Sequence, residues 1–260
     1  MNNTFNLKRF GMLFKKHTVE HGKTYALSTA VLAGILFITL LFLSYVNRGY
    51  LHAGDQVMIF VFGIAGPGSV FGSLIFADLS DRSKAIPALM LPASNFEKYL
   101  VGLIYSYFIF LIVYVSIFCL ADVIVIDIGH KASADNKMIN VFDPHDKPAV
   151  AYVIFTLFHA FIFWGAIFFK KMHFIKTTIA FFICLGLLIM INTFVLNGFL
   201  SAYTTFNTGM PFNQIVITQH DDFSILHPSD NMVTYGKVIF IIVILLFWIT
   251  TYFRLKEKEV

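Results

Sequence analysis

Six long runs of apolar residues, separated by short polar segments, dominate the sequence. The runs cover residues 25–46, 57–77, 99–126, 149–169, 177–200 and 238–253. Each is close to the roughly 20 residues that an α-helix needs to cross the hydrocarbon layer of a membrane. Lipid offers no partners to unpaired backbone groups, so each run is predicted to be a helix. The pattern predicts an all-α integral membrane protein with six transmembrane helices in one domain, residues 25–253.

The composition supports the same fold class. Of the 260 residues, 58% are apolar and 13% are charged, whereas about a quarter of the residues in a soluble domain are charged. This excludes a disordered chain and an ordinary soluble enzyme. The two cysteines, Cys119 and Cys184, lie inside apolar runs and form neither a disulfide framework nor a zinc-binding pattern.

The positive charges predict the orientation of the chain. If the N-terminus lies inside the cell, each inner segment holds at least three of the 19 Lys and Arg residues. Segments rich in Lys and Arg stay on the cytoplasmic side of a membrane. Both termini, including a short tail at residues 254–260, are therefore predicted to be cytoplasmic.

Residues 1–24 precede the first run and have the pattern of an amphipathic helix. Leu7, Phe10 and Phe14 share one helical face, and Lys8, Lys15 and Lys16 lie on the other side. This arrangement is typical of a helix that lies flat in the inner headgroup layer. Such a helix is either a simple anchor or a functional connection to the first span.

The second run contains several helix-weakening residues near its middle, namely Gly63, Gly66, Pro67, Gly68 and Gly72. Pro67 removes one hydrogen bond from the helical ladder and is predicted to kink the helix. Gly68 and Gly72 form a pair of small residues that lets another helix approach closely. Two interpretations stay open: simple helix packing, or a hinge that forms one wall of a central path.

The loop at residues 78–98, between the second and third runs, is unusually apolar. Ser83 is a candidate cap for a short helix that Pro92 ends, and Ser94 with Glu97 forms a capping box at the start of the third run. The apolar residues of this short helix are Ile86, Leu89, Met90 and Leu91. A helix of this kind is predicted to dock, either against its own bundle or against a partner.

The same loop resembles that of ABC-2-type transporter permeases, especially short permease-like proteins of Bacteroidetes. The resemblance rests on residues 80–98, through Arg82, Ile86, Leu89, Leu91, Pro92, Ala93, Ser94, Glu97 and Lys98. The wider layout is also similar. Those permeases have a flat N-terminal connecting helix, six spans, both ends inside, and a long outer segment between the last two spans.

The resemblance implies a role for three segments. Residues 83–91 would be a coupling helix in a groove of a separate ATP-binding-cassette ATPase subunit, and residues 7–17 would be the connecting helix. The outer segment, residues 201–235, would contain short helices that dip back toward the membrane. Coupling to the ATPase would involve Arg82, Ile86, Leu89, Leu91, Pro92, Ser94 and Glu97.

The function that the resemblance implies is that of a membrane subunit of an exporter in a bacterial inner membrane. Two permease copies, identical or different, would work by alternating access, and the substrate is not readable. The chain would contain no catalytic residue and no cofactor site, because ATP is bound by the partner subunit.

Two other functions stay open on the sequence alone. One is a membrane sensor, scaffold or assembly protein that transports nothing. The other is a zinc-dependent membrane hydrolase, because His17, Glu20 and His21 match the pattern H-x-x-E-H. In that case Glu97, on the same side of the membrane, is the candidate third ligand.

One histidine and one aspartate lie inside the runs. His159, at the middle of the fourth run, is either an intramembrane polar site or a neutral histidine bonded to a neighbouring helix. Asp122, near the outer end of the third run, is predicted to reach the lipid headgroups.

Overall fold

A computed structural model describes residues 5–76, 93–129, 138–142, 147–169, 172–200, 205–207, 211–212, 215–219 and 222–257. Its α-helices are α1 (Leu7–Val46), α2 (Ala53–Leu74), α3 (Asn95–Leu103), α4 (Phe110–Ile128), α5 (Lys147–Phe168), α6 (His173–Leu200) and α7 (Asp230–Glu257). A π-helical segment, Ile104–Ile109, joins α3 to α4. Three short strands lie between α6 and α7: β1 (Thr205–Asn207), β2 (Ile215–Gln219) and β3 (Asp222–Leu226).

Six helices are long and apolar enough to cross a membrane, which confirms the predicted fold class. The helix Asn95–Ile128, composed of α3, the π segment and α4, counts as one of the six. The described helices match the predicted runs closely at most ends. The largest extensions are at the starts of α1 and α7, where polar turns precede the apolar run.

The helix ends lie on two sides of the bundle. On one side, which we call the terminal side, the starts of α1 and α3 meet the ends of α5 and α7. There Leu255 of α7 is buried in one cluster with Tyr99 and Ile167. On the opposite side, Gln56 of α2 is fully buried. Its Nε2 donates to the carbonyl of Leu51 at 3.0 Å, and its Oε1 accepts from the amide of Ile139 at 2.9 Å.

The first helix is continuous from Leu7 to Val46 and has 40 residues. It is therefore about 60 Å long, twice the roughly 30 Å thickness of the hydrocarbon layer. Its start is capped by Asn6, whose side chain accepts from the amide of Lys8 at 2.9 Å. The Phe14 ring packs against Tyr105, with 4.8 Å between ring centroids. A separate interfacial helix at residues 1–24 is therefore not confirmed.

Helix α2 packs closely on its neighbours at the positions of its glycines. A Cβ atom at Gly68 would lie 2.7 Å from Cε1 of Phe110 and would overlap the ring of Phe155 in α5. A Cβ atom at Gly72 would lie 3.3 Å from Cδ2 of His159. Both contacts are with large side chains of other helices. The glycine pair therefore lies where α2 approaches its neighbours closely.

Pro67 lies inside α2, and the helix continues beyond it to Leu74. Proline has no amide hydrogen, so the carbonyl of Gly63 lacks its usual ladder donor. A Cβ atom at Gly63 would in turn lie 3.2 Å from the Tyr114 ring, whose hydroxyl donates to the carbonyl of Phe60 at 3.0 Å. A larger residue at position 63 would collide with the side chain of Tyr114, which explains the need for glycine there. The proposed hinge at Pro67 stays a prediction.

The segment at residues 201–235 differs from the short helices that the permease resemblance implied. Its described strands form one antiparallel sheet in the order β1-β2-β3. Thr205 pairs with Thr218, and Ile215 pairs with Leu226. The β-branched residues of β2 favour extended backbone. For the described residues, the prediction of helices that dip toward the membrane is therefore wrong.

The glycine contacts of α2 predict a difference between two alanine substitutions. Gly68→Ala should lower the free energy of unfolding by roughly 1–3 kcal/mol, because the new methyl group overpacks the site. Gly66 has no side-chain neighbour within 4 Å of the position of a Cβ atom, so Gly66→Ala should be neutral or slightly stabilising. Thermal unfolding of the purified variants in detergent measures both effects. Equal unfolding temperatures would contradict the close approach at Gly68.

Candidate functional site

The predicted coupling site is described only at its C-terminal end. Arg82, Ile86, Leu89, Leu91 and Pro92 lie outside the described residues. The two described members, Ser94 and Glu97, begin α3 in the predicted capping box. The Ser94 hydroxyl oxygen accepts from the amide of Glu97 at 3.2 Å, and the amide of Ser94 donates to Oε2 of Glu97 at 2.9 Å. The capping box is confirmed.

The second carboxylate oxygen of Glu97 binds the start of the chain. Its Oε1 accepts from the amide of Asn6 at 2.8 Å and from Nη2 of Arg9 at 3.0 Å. The Glu97 side chain is fully buried, whereas that of Arg9 is 30% exposed. Charge-assisted hydrogen bonds of this kind are stronger than neutral ones. We call this contact of Asn6, Arg9, Ser94 and Glu97 the terminal clamp.

The terminal clamp changes the interpretation of Glu97. Sequence reasoning assigned this residue to an external ATPase, yet both of its oxygens accept hydrogen bonds within the chain. Its carboxylate fixes the described end of the loop at residues 78–98 to the first residues of α1. Arg9 was not among the predicted site residues. No spacing rule links two residues that are 88 positions apart. The sequence offered only the general expectation that a buried carboxylate needs a cationic partner, without indicating which one.

The π segment Ile104–Ile109 presents three consecutive polar side chains to other helices. The hydroxyl of Tyr105 contacts the hydroxyl of Thr18 in α1. The next residue, Ser106, is hydrogen-bonded to His159 in α5, and Tyr107 bonds Thr156 of the same helix at 2.8 Å. Segments of π-helix inside α-helices frequently mark functional positions. This one connects the third span to α1 and α5 together.

His159 is fully buried and bonded to a neighbouring helix, as one of the two predicted alternatives states. Its Nε2 lies 2.9 Å from the hydroxyl oxygen of Ser106. The rings of Tyr107, Phe155 and Phe163 surround it, with centroids 5.3–5.7 Å from the imidazole. Its Nδ1 has no hydrogen-bond partner among the described residues. The described contacts make His159 part of an interhelical packing site.

The H-x-x-E-H pattern in α1 does not form a metal site with the described residues. The rings of His17 and His21 are 4.6 Å apart, but Nε2 of His17 is hydrogen-bonded to the hydroxyl of Tyr25 at 2.7 Å. Glu20 pairs instead with Lys16 at 3.5 Å. Glu97, the candidate third ligand, belongs to the terminal clamp. Within the described ranges, no group of three His, Cys, Asp or Glu residues is arranged to hold a metal ion.

Asp122 corrects another expectation. Sequence position suggested that its carboxylate reaches the headgroups, but the side chain is fully buried. It lies on the face of α4 that also carries the buried residues Phe118 and Val125. Residues Ile139 and Val141 belong to the same buried cluster as Phe118. The structure therefore buries a residue that the sequence placed at the membrane surface.

The terminal clamp predicts a large effect of Glu97→Ala. Removing the carboxylate breaks its hydrogen bonds with Arg9 and with the amides of Asn6 and Ser94. We expect a loss of roughly 2–3 kcal/mol in the free energy of unfolding, less than the 3–5 kcal/mol of a fully buried pair because Arg9 is partly exposed. Unfolding in detergent measures this loss. Glu20→Ala breaks only the exposed pair with Lys16 and should cost under about 0.5 kcal/mol; equal costs would refute the clamp.

The bond between Ser106 and His159 predicts a measurable coupling between the two residues. A double-mutant cycle with Ser106→Ala and His159→Phe should give a coupling energy of roughly 0.5–1.5 kcal/mol, the range found for buried hydrogen bonds in membrane bundles. The control is Ser116→Ala. Ser116 is lipid-facing and bonds only the carbonyl of Ile112 in its own helix, so it should not couple to His159. A coupling energy of zero between Ser106 and His159 would contradict the bond.

Comparison with known proteins adds no relative of this chain. No family model matches the sequence, and neither a curated protein nor a solved structure matches it. The resemblance of residues 80–98 to permease loops therefore stays a prediction. The six apolar helices and the contacts described above stand on the structure of the chain itself.

Proposed function

We propose that this chain is the membrane-spanning subunit of an ATP-driven exporter that works with a separate ATP-binding-cassette ATPase. Two permease copies would form the transport path in a bacterial inner membrane, with both termini in the cytoplasm. The ATPase would bind the loop at residues 78–98. ATP binding in that partner would move the loop, and alternating access would carry a substrate that the sequence does not identify.

The observation that carries this proposal is the terminal clamp at the end of the loop. A loop that receives force from a partner needs a rigid connection to the membrane helices. The carboxylate of Glu97 joins that loop end to α3 through Ser94 and to α1 through Asn6 and Arg9. Movement of the loop would therefore reach two spans at once.

Contacts deeper in the bundle suit the transmission of this movement. Further along the same helix, Tyr105 contacts α1, and Ser106 and Tyr107 bond α5. Helix α5 in turn packs against the glycine face of α2 at Gly68 and Gly72. The proposed mechanism is a tilt of these helices that begins at the clamp and is accommodated at the π segment and at Pro67.

The proposal predicts that an acidic residue in the loop separates the chain from its ATPase. When the tagged chain is purified from its source membranes, Leu89→Asp or Leu91→Asp should abolish the ATPase activity that co-purifies with it. The reason is that burying a carboxylate in an apolar groove of the partner is unfavourable. Membrane insertion and the unfolding temperature should be unchanged, since both residues would face the partner. ATPase activity of the purified preparation is the measurement.

The matched control is Met172→Asp. Met172 is exposed, lies on the terminal side between α5 and α6, and has a positive φ of 53° that aspartate tolerates well. This variant makes the same chemical change on the same side and should keep the ATPase. Co-purified ATPase that is unchanged in the Leu89 and Leu91 variants, or absent from the wild-type preparation, would favour a sensor, scaffold or assembly protein instead.

A further inference from the structure

The third span carries a buried carboxyl group that no described residue compensates. Asp122 is fully buried in α4, six residues before the last residue of that helix, Ile128, and therefore about 9 Å along the helix from its end. Neither Oδ1 nor Oδ2 has a hydrogen-bond partner among the described residues. Ionisable residues inside membrane helices are rare, costly and usually functional.

The surroundings of Asp122 are mainly apolar. From α1 and the α1–α2 turn, Leu40 and Leu51 pack against the neighbouring residues Ala121 and Val125. From residues 138–142, Ile139 and Val141 lie in the same buried cluster as Phe118, one turn before Asp122. The described part of the chain thus places hydrocarbon rather than charge on several sides of this carboxyl group.

The titratable groups that the structure links to Asp122 are a thiol and, through it, a hydroxyl. Cys119, on the same helix, is within electrostatic range of Asp122 and of Tyr152 in α5. The Tyr152 hydroxyl is buried and also lacks a hydrogen-bond partner among the described residues. Two other carboxyl groups occupy different positions: Asp127 is exposed, and Asp55 accepts from Nδ2 of Asn47 at 2.9 Å. The cation Arg48 lines a cavity with Ile128 and Gly129 at the end of α4, but no described cation is hydrogen-bonded to Asp122.

These facts indicate whether the carboxyl group of Asp122 is ionised or protonated. An ionised carboxylate that is buried without a cation or several donors costs several kcal/mol. A protonated carboxyl group carries no charge, and its O–H donor can reach a backbone carbonyl of its own helix, as the hydroxyl of Ser116 does with Ile112. A metal cation would need several oxygen ligands, and the described residues provide no cluster of acidic or metal-binding side chains here.

We propose that Asp122 is a proton-binding site. Its carboxyl group is protonated when the opposite side of the bundle is closed to water, and it exchanges its proton with water that enters from that side. Release of the proton would leave a bare charge among apolar side chains. The deprotonated state therefore requires water to enter between α4, α5 and residues 138–142. Proton binding at Asp122 is thus linked to the exclusion of water from the opposite side of the bundle.

The proposal predicts a carboxylic-acid signal from one identified residue. In infrared spectra of the wild-type protein in lipid membranes at neutral pH, the C=O stretch of a protonated carboxyl group should be present, and Asp122→Asn should remove it. Asp127→Asn, a matched change on the exposed face of the same helix, should keep the band. In deuterated buffer the wild-type band should shift as the proton exchanges. A band that is missing from the wild type, retained in Asp122→Asn, or unshifted after long incubation would overturn the proposal.

A second measurement on the unaltered chain covers the case in which Asp122→Asn fails to fold. A hydrophobic carbodiimide reacts with protonated carboxyl groups in apolar surroundings. The acid O–H adds across one C=N bond, and the O-acylisourea rearranges to a stable N-acylurea that retains the whole reagent. Peptide mass spectrometry should find this adduct at Asp122 and not at Asp127. Modification of Asp127 without modification of Asp122 would argue against a protonated Asp122.

Discussion

In a bilayer, an apolar side chain gains little free energy by leaving lipid for a neighbouring helix, so close backbone packing and buried hydrogen bonds decide how helices assemble. In the described part of this chain, both kinds of contact concentrate on the second and third spans. The glycine face of α2 accepts large side chains from α4 and α5. The third span supplies the hydrogen bonds, from Glu97 at its start to Tyr114 further along. By contrast, the most apolar window of α6 contains no buried residue.

The π segment makes the third span the natural point of connection between the N-terminal helix and the rest of the bundle. Successive side chains on a helix point in directions that differ by about 100°, so the consecutive residues Tyr105, Ser106 and Tyr107 face different neighbours. Here those neighbours are α1 for the first residue and α5 for the other two. A change of the π segment to regular α-helix would shift all three contacts together. The π segment therefore connects α1 to α5 through a stretch of six residues.

The membrane fold was predictable from sequence because lipid constrains composition over about 20 residues at a time, and that constraint is local. The capping box of Ser94 and Glu97 was predictable for the same reason, since its two residues are three positions apart. The bond from Arg9 to Glu97 spans 88 positions, and a π segment has no compositional signature, so neither could be predicted. The helices expected between α6 and α7 came from family layout rather than from residues, and the described strands replace them.

The burial of Asp122 shows why hydropathy alone misplaces polar residues near the end of a span. A carboxylate about 9 Å from a helix end is expected to reach water, yet the Asp122 side chain is fully buried. The third span thus holds two buried carboxyl groups, Glu97 and Asp122, about 37 Å apart along the helix. The first accepts hydrogen bonds from the chain at both oxygens, whereas the second accepts none from the described residues. Movement that enters at the terminal side would therefore be carried into the helix by existing hydrogen bonds, whereas a change in the protonation of Asp122 breaks none of the described ones.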